Sequence, residues 1–309
     1  MACVRRIILT ITIYSTLSTI TNCQILELKT QEDLEENILQ NEKVWLVSIH
    51  QTENQQREIV HTEDLYRGIF NAAQIERRQI GTILDSSLAK ETNFIIFPYG
   101  SKRSKQTKQK HAVNLNEALK IVSEFIPDIT TRLDSNVDGT NSQLRAFFQK
   151  IFMTRPIKFP VIYFTENKEP PIEIRALALK YSSLFQFGVI SRPTKNALNA
   201  YAIKSLPHFS GYIIENVTSQ PRLKNYIYQG QLNGPSEYPF LVHFLYLLHK
   251  NHFKELPKVR KPKSSDDVRN AGKDDEIELD LEETFSEDFE LFHELYKMFP
   301  MEYGTKDEL

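Results

Sequence analysis

Residues 24–133 show two alternating kinds of hydrophobic pattern. Short runs that are apolar at consecutive positions are typical of strands covered on both faces, whereas apolar residues three and four apart predict amphipathic helices. The predicted strands are Ile25–Leu28, Val44–Ile49, Ile80–Leu84 and Phe94–Phe97. The predicted helices are one opened by Thr30, a polar helical region that ends near Phe70, and one from Asn116 to Ile126.

Residues 143–253 repeat this plan. The predicted strands are Pro160–Phe164, Phe187–Ile190, Phe209–Ile214 and Asn225–Tyr228, and the predicted helices are Gln143–Phe152, Pro171–Phe185, Ala197–Tyr201 and Tyr238–Leu248. The polar segment 134–142 has no apolar periodicity and is predicted to be a linker. Alternating strands and helices therefore predict an α/β fold with two domains, 24–133 and 143–253, each a central mixed sheet flanked by helices.

The pattern changes after residue 253. Residues 254–283 form a charged segment, and Asp266–Glu290 holds twelve acidic residues against Arg269 and Lys273, so we expect this tail to be acidic and mostly disordered. Residues 284–300 predict one short amphipathic helix, opened by a capping box of Thr284 and Glu287. Its aromatic stripe consists of Phe285, Phe289, Phe292, Tyr296 and Phe299. The stripe could dock on the second domain of this chain or in the groove of a partner.

The two ends of the chain predict its location. Arg5 and Arg6 precede an apolar stretch that is too short and too rich in Thr and Ser for a stable membrane span, so residues 1–23 are predicted to be a cleaved signal peptide. An uncleaved anchor or a buried first strand is the alternative. The last residues, Lys306, Asp307, Glu308 and Leu309, form an address that a retention receptor binds in the endoplasmic reticulum. We therefore expect residence in the lumen, where the sequon at Asn216 would be a glycosylation site.

Composition excludes several functional classes. The formal charge of −2 gives no electrostatic reason to expect nucleic-acid binding. Cys3 and Cys23 are the two cysteines, so a disulfide framework, a cysteine-rich zinc site and an iron–sulfur cluster are excluded. The sequence suggests no cofactor and no metal site, and we interpret His243, His249 and His252 as a solvated helix end.

Several segments resemble the thioredoxin-fold domains of protein disulfide isomerases. In the first unit these are Val44-Trp45-Leu46-Val47 and Ile96-Phe97-Pro98-Tyr99-Gly100. In the second unit they are Tyr163-Phe164-Thr165, Ala176-Leu177-Ala178, Phe185-Gln186-Phe187-Gly188, and Pro207 just before a strand. The resemblance implies two tandem thioredoxin-like domains of a lumenal folding factor.

The redox motif of that family is missing. Active isomerases carry Cys-x-x-Cys after the Trp-Leu-Val strand, where a thiolate attacks the substrate disulfide. Alignment on Trp45 places Asn54 and Arg57 at those two positions, and the matching loop of the second unit, residues 165–171, also lacks sulfur. The loop proline of the first unit is lost as well, with Thr92 nearest its place. We therefore expect no enzymatic activity.

Without redox activity, the function that the resemblance still implies is peptide binding at a surface. The family pairs extended peptides with the loop at its conserved proline, which makes Leu206, Pro207, His208 and Phe209 the candidate peptide-binding residues. A purely structural role, with Phe209 facing the core, is the alternative. The expected function is a redox-inactive chaperone whose partners are unfolded or extended clients, the retention receptor and other lumenal folding factors. A non-catalytic adaptor for one lumenal partner, docked through the Phe285–Phe299 helix, is the other candidate.

Overall fold

The computed structural model describes residues 25–50, 53–84, 92–100, 109–134, 142–153, 158–215 and 222–252. The predictions for the signal peptide, the sequon at Asn216, the charged tail, the aromatic helix and the C-terminal tetrapeptide lie outside these ranges. The chain forms two compact units. The first comprises residues up to Tyr66 together with Phe70–Phe125, and the second comprises Arg67–Ile69 and the residues from Ile126 onward.

The first unit is a five-stranded mixed sheet flanked by helices. Its elements in chain order are β1 (Leu26–Glu27), α1 (Gln31–Leu34, continued by a wider turn over Glu35–Leu39), β2 (Trp45–His50), α2 (Glu53–Leu65), β3 (Asn71–Glu76), a 3₁₀ turn (Arg77–Gln79), α3 (Ile80–Ile83), β4 (Phe94–Phe97), β5 (Lys110–Ala112) and α4 (Leu115–Phe125). The strand order is β1-β3-β2-β4-β5. Strands β1, β3 and β2 run parallel, while β4 is antiparallel to both β2 and β5.

Local sequence explains where α1 begins. Thr30 lies at the position before the helix, and its side-chain oxygen accepts a hydrogen bond from the Asp33 N–H at 3.1 Å. The Asp33 carboxylate accepts in return from the Thr30 N–H at 2.9 Å, which completes a capping box. The helix then packs Leu34 and Ile38 against Val47 and Ile95 on one face of the sheet.

Two predictions for this unit are wrong. Ile80–Leu84 was predicted to be a strand but forms the turn of α3, because Ile80 and Ile83, three positions apart, are both buried against the core. The strand β3 was missed since its two alanines and its glutamine have low strand propensity. Pairing with β1 on one side and β2 on the other stabilises it in the sheet.

The second unit is also a five-stranded mixed sheet with helices around it. Its elements are β6 (Thr131–Leu133), α5 (Ser142–Met153), β7 (Phe159–Thr165), α6 (Ile172–Lys180), β8 (Phe185–Ser191), α7 (Lys195–Ala200), β9 (His208–Glu215), β10 (Arg222–Ile227), a 3₁₀ turn (Pro235–Glu237) and α8 (Tyr238–His252). The strand order is β10-β9-β7-β8-β6. Strands β6 and β7 are parallel to β8, and β9 is antiparallel to β7 and β10.

The position of β6 differs from the sequence prediction. Thr131–Leu133 was assigned to the first domain, but this strand pairs with Gly188–Ile190 of the second sheet. Three residues are too few for a clear strand pattern, and a long-range partner fixes their place. The second unit therefore starts before the predicted boundary at residue 133.

Two aromatic cores lie on the two faces of the second sheet. On one face Phe209 contacts Phe244 of α8, with ring centroids 5.8 Å apart. On the other face Phe164 packs with Ile151 and Phe147 of α5. In the described ranges, no helix has the length and hydropathy that a bilayer crossing needs.

The interpretation of His243 and His249 as part of a solvated helix end is wrong. The two side chains are only 5% and 2% exposed, because α8 presents them to the interior of the second unit. The His249 ring lies 5.2 Å from Phe159 and 6.1 Å from Phe185, measured between ring centroids. Burial lowers the pKa of His249 from 6.5 to about 4.

This burial predicts a loss of stability at mildly acidic pH. As the pH falls below 6.5, His249 takes up a proton in the unfolded chain but not in the folded one until about pH 4. We expect this residue alone to lower the free energy of unfolding by about 2 kcal/mol between pH 7 and pH 5. Urea unfolding of the wild type and of His249→Leu at both pH values measures it, with the exposed His61→Gln as control. Titration of the His249 ring above pH 6 in NMR spectra would contradict the prediction.

Candidate functional site

The loop that enters β9 combines exposed apolar surface with unpaired backbone groups. The Leu206–Pro207 peptide bond is cis, Pro207 is exposed and Leu206 is half-buried. Within the described chain, no backbone hydrogen bond involves the N–H or C=O of Leu206. This loop therefore offers a backbone donor and acceptor and the exposed ring of Pro207 at the end of the second sheet where β9 begins, while the Leu206 side chain also packs against the core.

The next two candidate residues point into the protein. Phe209 is fully buried, which supports the structural alternative for this side chain. His208 is half-buried, its ring centroid lies 5.8 Å from that of Phe164, and its Nε2 lies 2.7 Å from Ser210 Oγ. Burial lowers the pKa of His208, so the ring is neutral at pH 7. Of the four candidates, Pro207 is the exposed one, Leu206 is half-buried, and both precede the first residue of β9.

The loop after β7 lies at the same end of the sheet and is joined to distant parts of the chain. The Lys168 carbonyl accepts hydrogen bonds from Ser191 Oγ at 2.9 Å and from Arg132 Nη1 at 3.2 Å. The same guanidinium forms ion pairs with Asp128, at 2.6 Å, and with Glu169. One exposed arginine thus joins a backbone carbonyl and two carboxylates beside the loop that enters β9.

In the first unit, an arginine pairs with the corresponding loop, which lies just before β4. Arg77 Nη2 donates to the Thr92 carbonyl at 3.1 Å and to Asn93 Oδ1 at 2.7 Å. The Asn93 side chain then donates to the Val113 carbonyl at 2.8 Å. The Asn93 backbone is paired too, with Ile49 N–H at 2.8 Å and Ala112 O at 3.1 Å. The chain entering β4 is thus satisfied internally, unlike the chain at Leu206.

A small open cavity lies beside this clamp, within the first unit. Its volume is about 180 Å³. It is lined by Ser48 and Ile49 at the end of β2, Glu58 on α2, Asn93 and Phe94 at the start of β4, and residues 113–115 before α4. Both polar and apolar groups therefore face one space at the carboxyl end of the central strand.

Comparison with known proteins supports the fold. The sequence matches no protein-family model and no curated protein sequence. The crystal structure of ERdj5 (form I) is similar with a TM-score of 0.50 and 15% identity, over 78% of this chain and 32% of that chain. Human ERp44 (form I) covers 82% of this chain and 64% of that one at 11% identity, but its TM-score is 0.27. This chain spans about a third of the length of ERdj5. Both neighbours are thioredoxin-fold proteins of the protein disulfide isomerase family.

The fold is that of two tandem thioredoxin-like domains. The aligned redox positions, Asn54 and Arg57, lie in the first turn of α2, directly after the central strand of the first domain. The side chain of Arg57 is exposed. The first turn of a helix lowers the pKa of a cysteine thiol, so this location would suit a thiolate, but the sequence has no sulfur there.

Sequence reasoning missed Arg77, Asn93 and Arg132. Asn93 follows Thr92, which was identified as nearest to the missing loop proline, so the loop was found but not the residue that stabilises it. Arg77 and Arg132 act on loops that are 15 and 36 positions away in the chain. Because nothing near an exposed-looking arginine indicates such a partner, only the folded topology could reveal these two clamps.

The Arg77 clamp can be tested with its neighbour as the control. We expect Arg77→Gln to destabilise the first domain by about 1–3 kcal/mol, since the Thr92 carbonyl and the Asn93 amide lose a charged partner. Arg78 pairs with Glu76 at 2.7 Å on the surface, and Arg78→Gln should change stability by about 0–1 kcal/mol. Hydrogen exchange of the β2 and β4 amides measures both. Equal effects of the two substitutions would show that the clamp contributes nothing.

Proposed function

We propose that this protein is a redox-inactive folding factor of the endoplasmic reticulum lumen that binds extended segments of unfolded clients. The observation that carries the proposal is Leu206, whose backbone N–H and C=O form no backbone hydrogen bond in the described chain. Unpaired backbone groups in a loop can pair with an extended peptide, with backbone hydrogen bonds giving affinity and side-chain contacts giving selectivity.

The two domains have different capacities for this pairing. In the first domain Arg77 occupies the Thr92 carbonyl, so a peptide would have to displace a charge-assisted hydrogen bond. In the second domain the equivalent stretch is open, and Pro207 extends its apolar surface into solvent. The second domain is therefore the proposed client-binding domain. Affinity should be weak, because a small site must offset the ordering of a flexible client.

The cysteine inventory supports the absence of redox chemistry. Thiol–disulfide exchange needs a thiolate to attack a disulfide sulfur. The two cysteines, Cys3 and Cys23, both lie in the segment predicted to be a signal peptide. Asn54 and Arg57 have no sulfur with which to form a mixed disulfide.

The proposed location rests on sequence and is consistent with the fold. The terminal tetrapeptide Lys306–Leu309 and the predicted signal peptide indicate the lumen. Similarity to ERdj5 and ERp44 supports a thioredoxin-fold folding-factor family. The second candidate, an adaptor for one lumenal partner, is favoured by the aromatic spacing of the Phe285–Phe299 segment.

Client binding can be tested by changing the Leu206 side chain in the loop before β9. We expect Leu206→Ser to weaken binding of a reduced and alkylated secretory protein about five- to tenfold, since the half-buried side chain can contribute about half of the roughly 1.5–3 kcal/mol that full burial of a leucine gives. Ile129→Ser, a substitution of another exposed apolar residue of the second domain (44% exposed), should leave the affinity unchanged. Fluorescence anisotropy of the labelled client measures both variants.

Backbone pairing between client and loop predicts a second result in the same binding experiment. A client peptide with one backbone N-methyl group within its bound segment should bind more weakly than the unmethylated peptide, because the added strand loses a donor. Equal affinity for both peptides, or equal binding by Leu206→Ser and the wild type, would rule out backbone pairing of the client with the loop at Leu206. One stoichiometric partner from lumen extract, lost in Phe289→Ala with Phe292→Ala, would favour the adaptor instead.

The absence of redox activity makes a separate prediction. The wild type should not accelerate insulin reduction by dithiothreitol or the reshuffling of scrambled ribonuclease. The double variant Asn54→Cys with Arg57→Cys should gain measurable activity in the insulin assay, because it restores two thiols at a helix start. Activity of the wild type in either assay would refute the proposed loss of chemistry.

A further inference from the structure

The strand β10 lies at one edge of the second sheet. Among the described residues it pairs with β9 on one side, and no strand flanks its other side. Just after β10, the Tyr228 N–H donates to the Phe209 carbonyl at 3.0 Å. Hydrogen-bonded and non-hydrogen-bonded pairs alternate along an antiparallel ladder, so this bond fixes which residues of β10 bond to β9.

The alternation leaves three residues of β10 with outward backbone groups. Leu223, Asn225 and Ile227 are an odd number of positions from Tyr228, so their N–H and C=O groups point away from β9. Within the described chain, no backbone bond outside the ladder involves these three residues. A sheet edge of this kind can accept an additional strand.

The side chains give β10 two chemically different faces. The Lys224 Nζ lies 5.4 Å from the centroid of the Tyr226 ring, and that ring lies 4.5 Å from the ring of His252 on α8, measured between centroids. Lys224 and Tyr226 therefore share the face that α8 covers. Asn225 and Ile227 alternate to the opposite face. A matching strand would carry negative charge on the first face and apolar side chains on the second.

The tail of this chain contains such a pattern. The segment Glu276-Ile277-Glu278-Leu279-Asp280-Leu281 alternates strictly between acidic and apolar residues, as a half-buried strand does. Any pairing that brings its acidic positions beside Lys224 also brings its apolar positions beside Ile227, and a shift by two residues preserves this match. Glutamate and aspartate have low strand propensity, so the segment needs a complementary neighbour to form a strand.

The connection to the tail begins beside β10. Helix α8 ends at His252, whose ring packs on Tyr226. Residues 253–275 can span up to about 75 Å, whereas six residues of a strand cover about 20 Å. The segment is therefore long enough to reach the whole of β10. Because it is tethered to the same chain, its effective concentration at this edge exceeds that of a separate molecule.

We propose that Glu276–Leu281 pairs with β10 as an additional strand of the second sheet. The acidic side chains lie on the face of Lys224, and the apolar ones lie on the face of Ile227. This surface is the edge at β10 and not the loop at Leu206, so the inference goes beyond the proposed function and does not depend on it.

Amide hydrogen exchange of the full chain, followed by NMR, tests the added strand at the backbone. The amides of Asn225 and Ile227 point away from β9, yet they should be protected in the wild type. Glu278→Pro with Leu279→Pro should increase their exchange rates about tenfold, because one of two consecutive N–H groups must face the neighbouring strand. Asn270→Pro, in the same tail, is the control and should change nothing.

The same spectra show whether the domain stays folded. The amides of Lys224 and Tyr226 bond to β9, so their protection should be equal in the wild type and in the proline variants.

Charge reversal tests the side-chain match. Lys224→Glu should increase exchange of the Asn225 and Ile227 amides about two- to fivefold, the range for an exposed ion pair. Lysine at positions 276, 278 and 280 of the same variant should restore the protection. Lys195→Glu, at the exposed start of α7, is the matched control and should leave both amides unchanged.

Each remaining outcome overturns the proposal. Unprotected amides of Asn225 and Ile227 in the wild type would show that the edge is empty. Protection that survives the two prolines would assign the edge to another segment or, if it rises with protein concentration, to a second copy of this chain. Failure of the three lysines to restore protection in Lys224→Glu would show that charge does not align the two strands.

Discussion

The central strand of each sheet has a strict requirement for hydrogen-bond partners at its carboxyl end. Strands β2 and β7 are flanked on both sides and buried, so their own backbone groups pair within the sheet. Beyond that end, side chains from distant parts of the chain pair with the backbone of the adjoining loops. In the first domain Arg77 and Asn93 do so, and in the second Arg132 and Ser191 do so. Leu206 is the position where this internal satisfaction stops, since no backbone hydrogen bond within the described chain involves it, and the proposed client pairing is placed there for this reason.

Elements that are buried on both faces could be predicted from the sequence, because their composition alone is that of a strand. The runs at Val44–Ile49 and Pro160–Phe164 correspond to β2 and β7. The strand Asn71–Glu76 could not be predicted, since its pairing with β1 and β2 overrides its weak propensity. His249 shows the same limit, because its place in a charged-looking helix end concealed its burial between two phenylalanines.

The candidate site was predictable only where a residue's own chemistry marks it. Pro207 was identified because the fold that the sequence resembles keeps a proline just before this strand, and the missing cysteines were identified by count. The difference between the two loops, one at Thr92 before β4 and the other at Leu206 before β9, was not predictable. It depends on whether an arginine from another loop reaches the backbone, as Arg77 does at Thr92, and side-chain reach of that kind follows from the topology of the sheet and not from spacing along the chain.

The charges around the first turn of α2 would disfavour a reactive thiolate. A reactive cysteine needs a positive surrounding that lowers its pKa, and carboxylates nearby would oppose its ionisation. Glu58 follows directly after Arg57, the second of the two aligned redox positions, and lines the cavity at the carboxyl end of β2. A carboxylate so close would raise the pKa of a cysteine at that position and impair a nucleophilic sulfur. Because positions 54 and 57 carry no sulfur, this charge opposes no thiol ionisation there, and an acidic residue is compatible with the scaffold at that position.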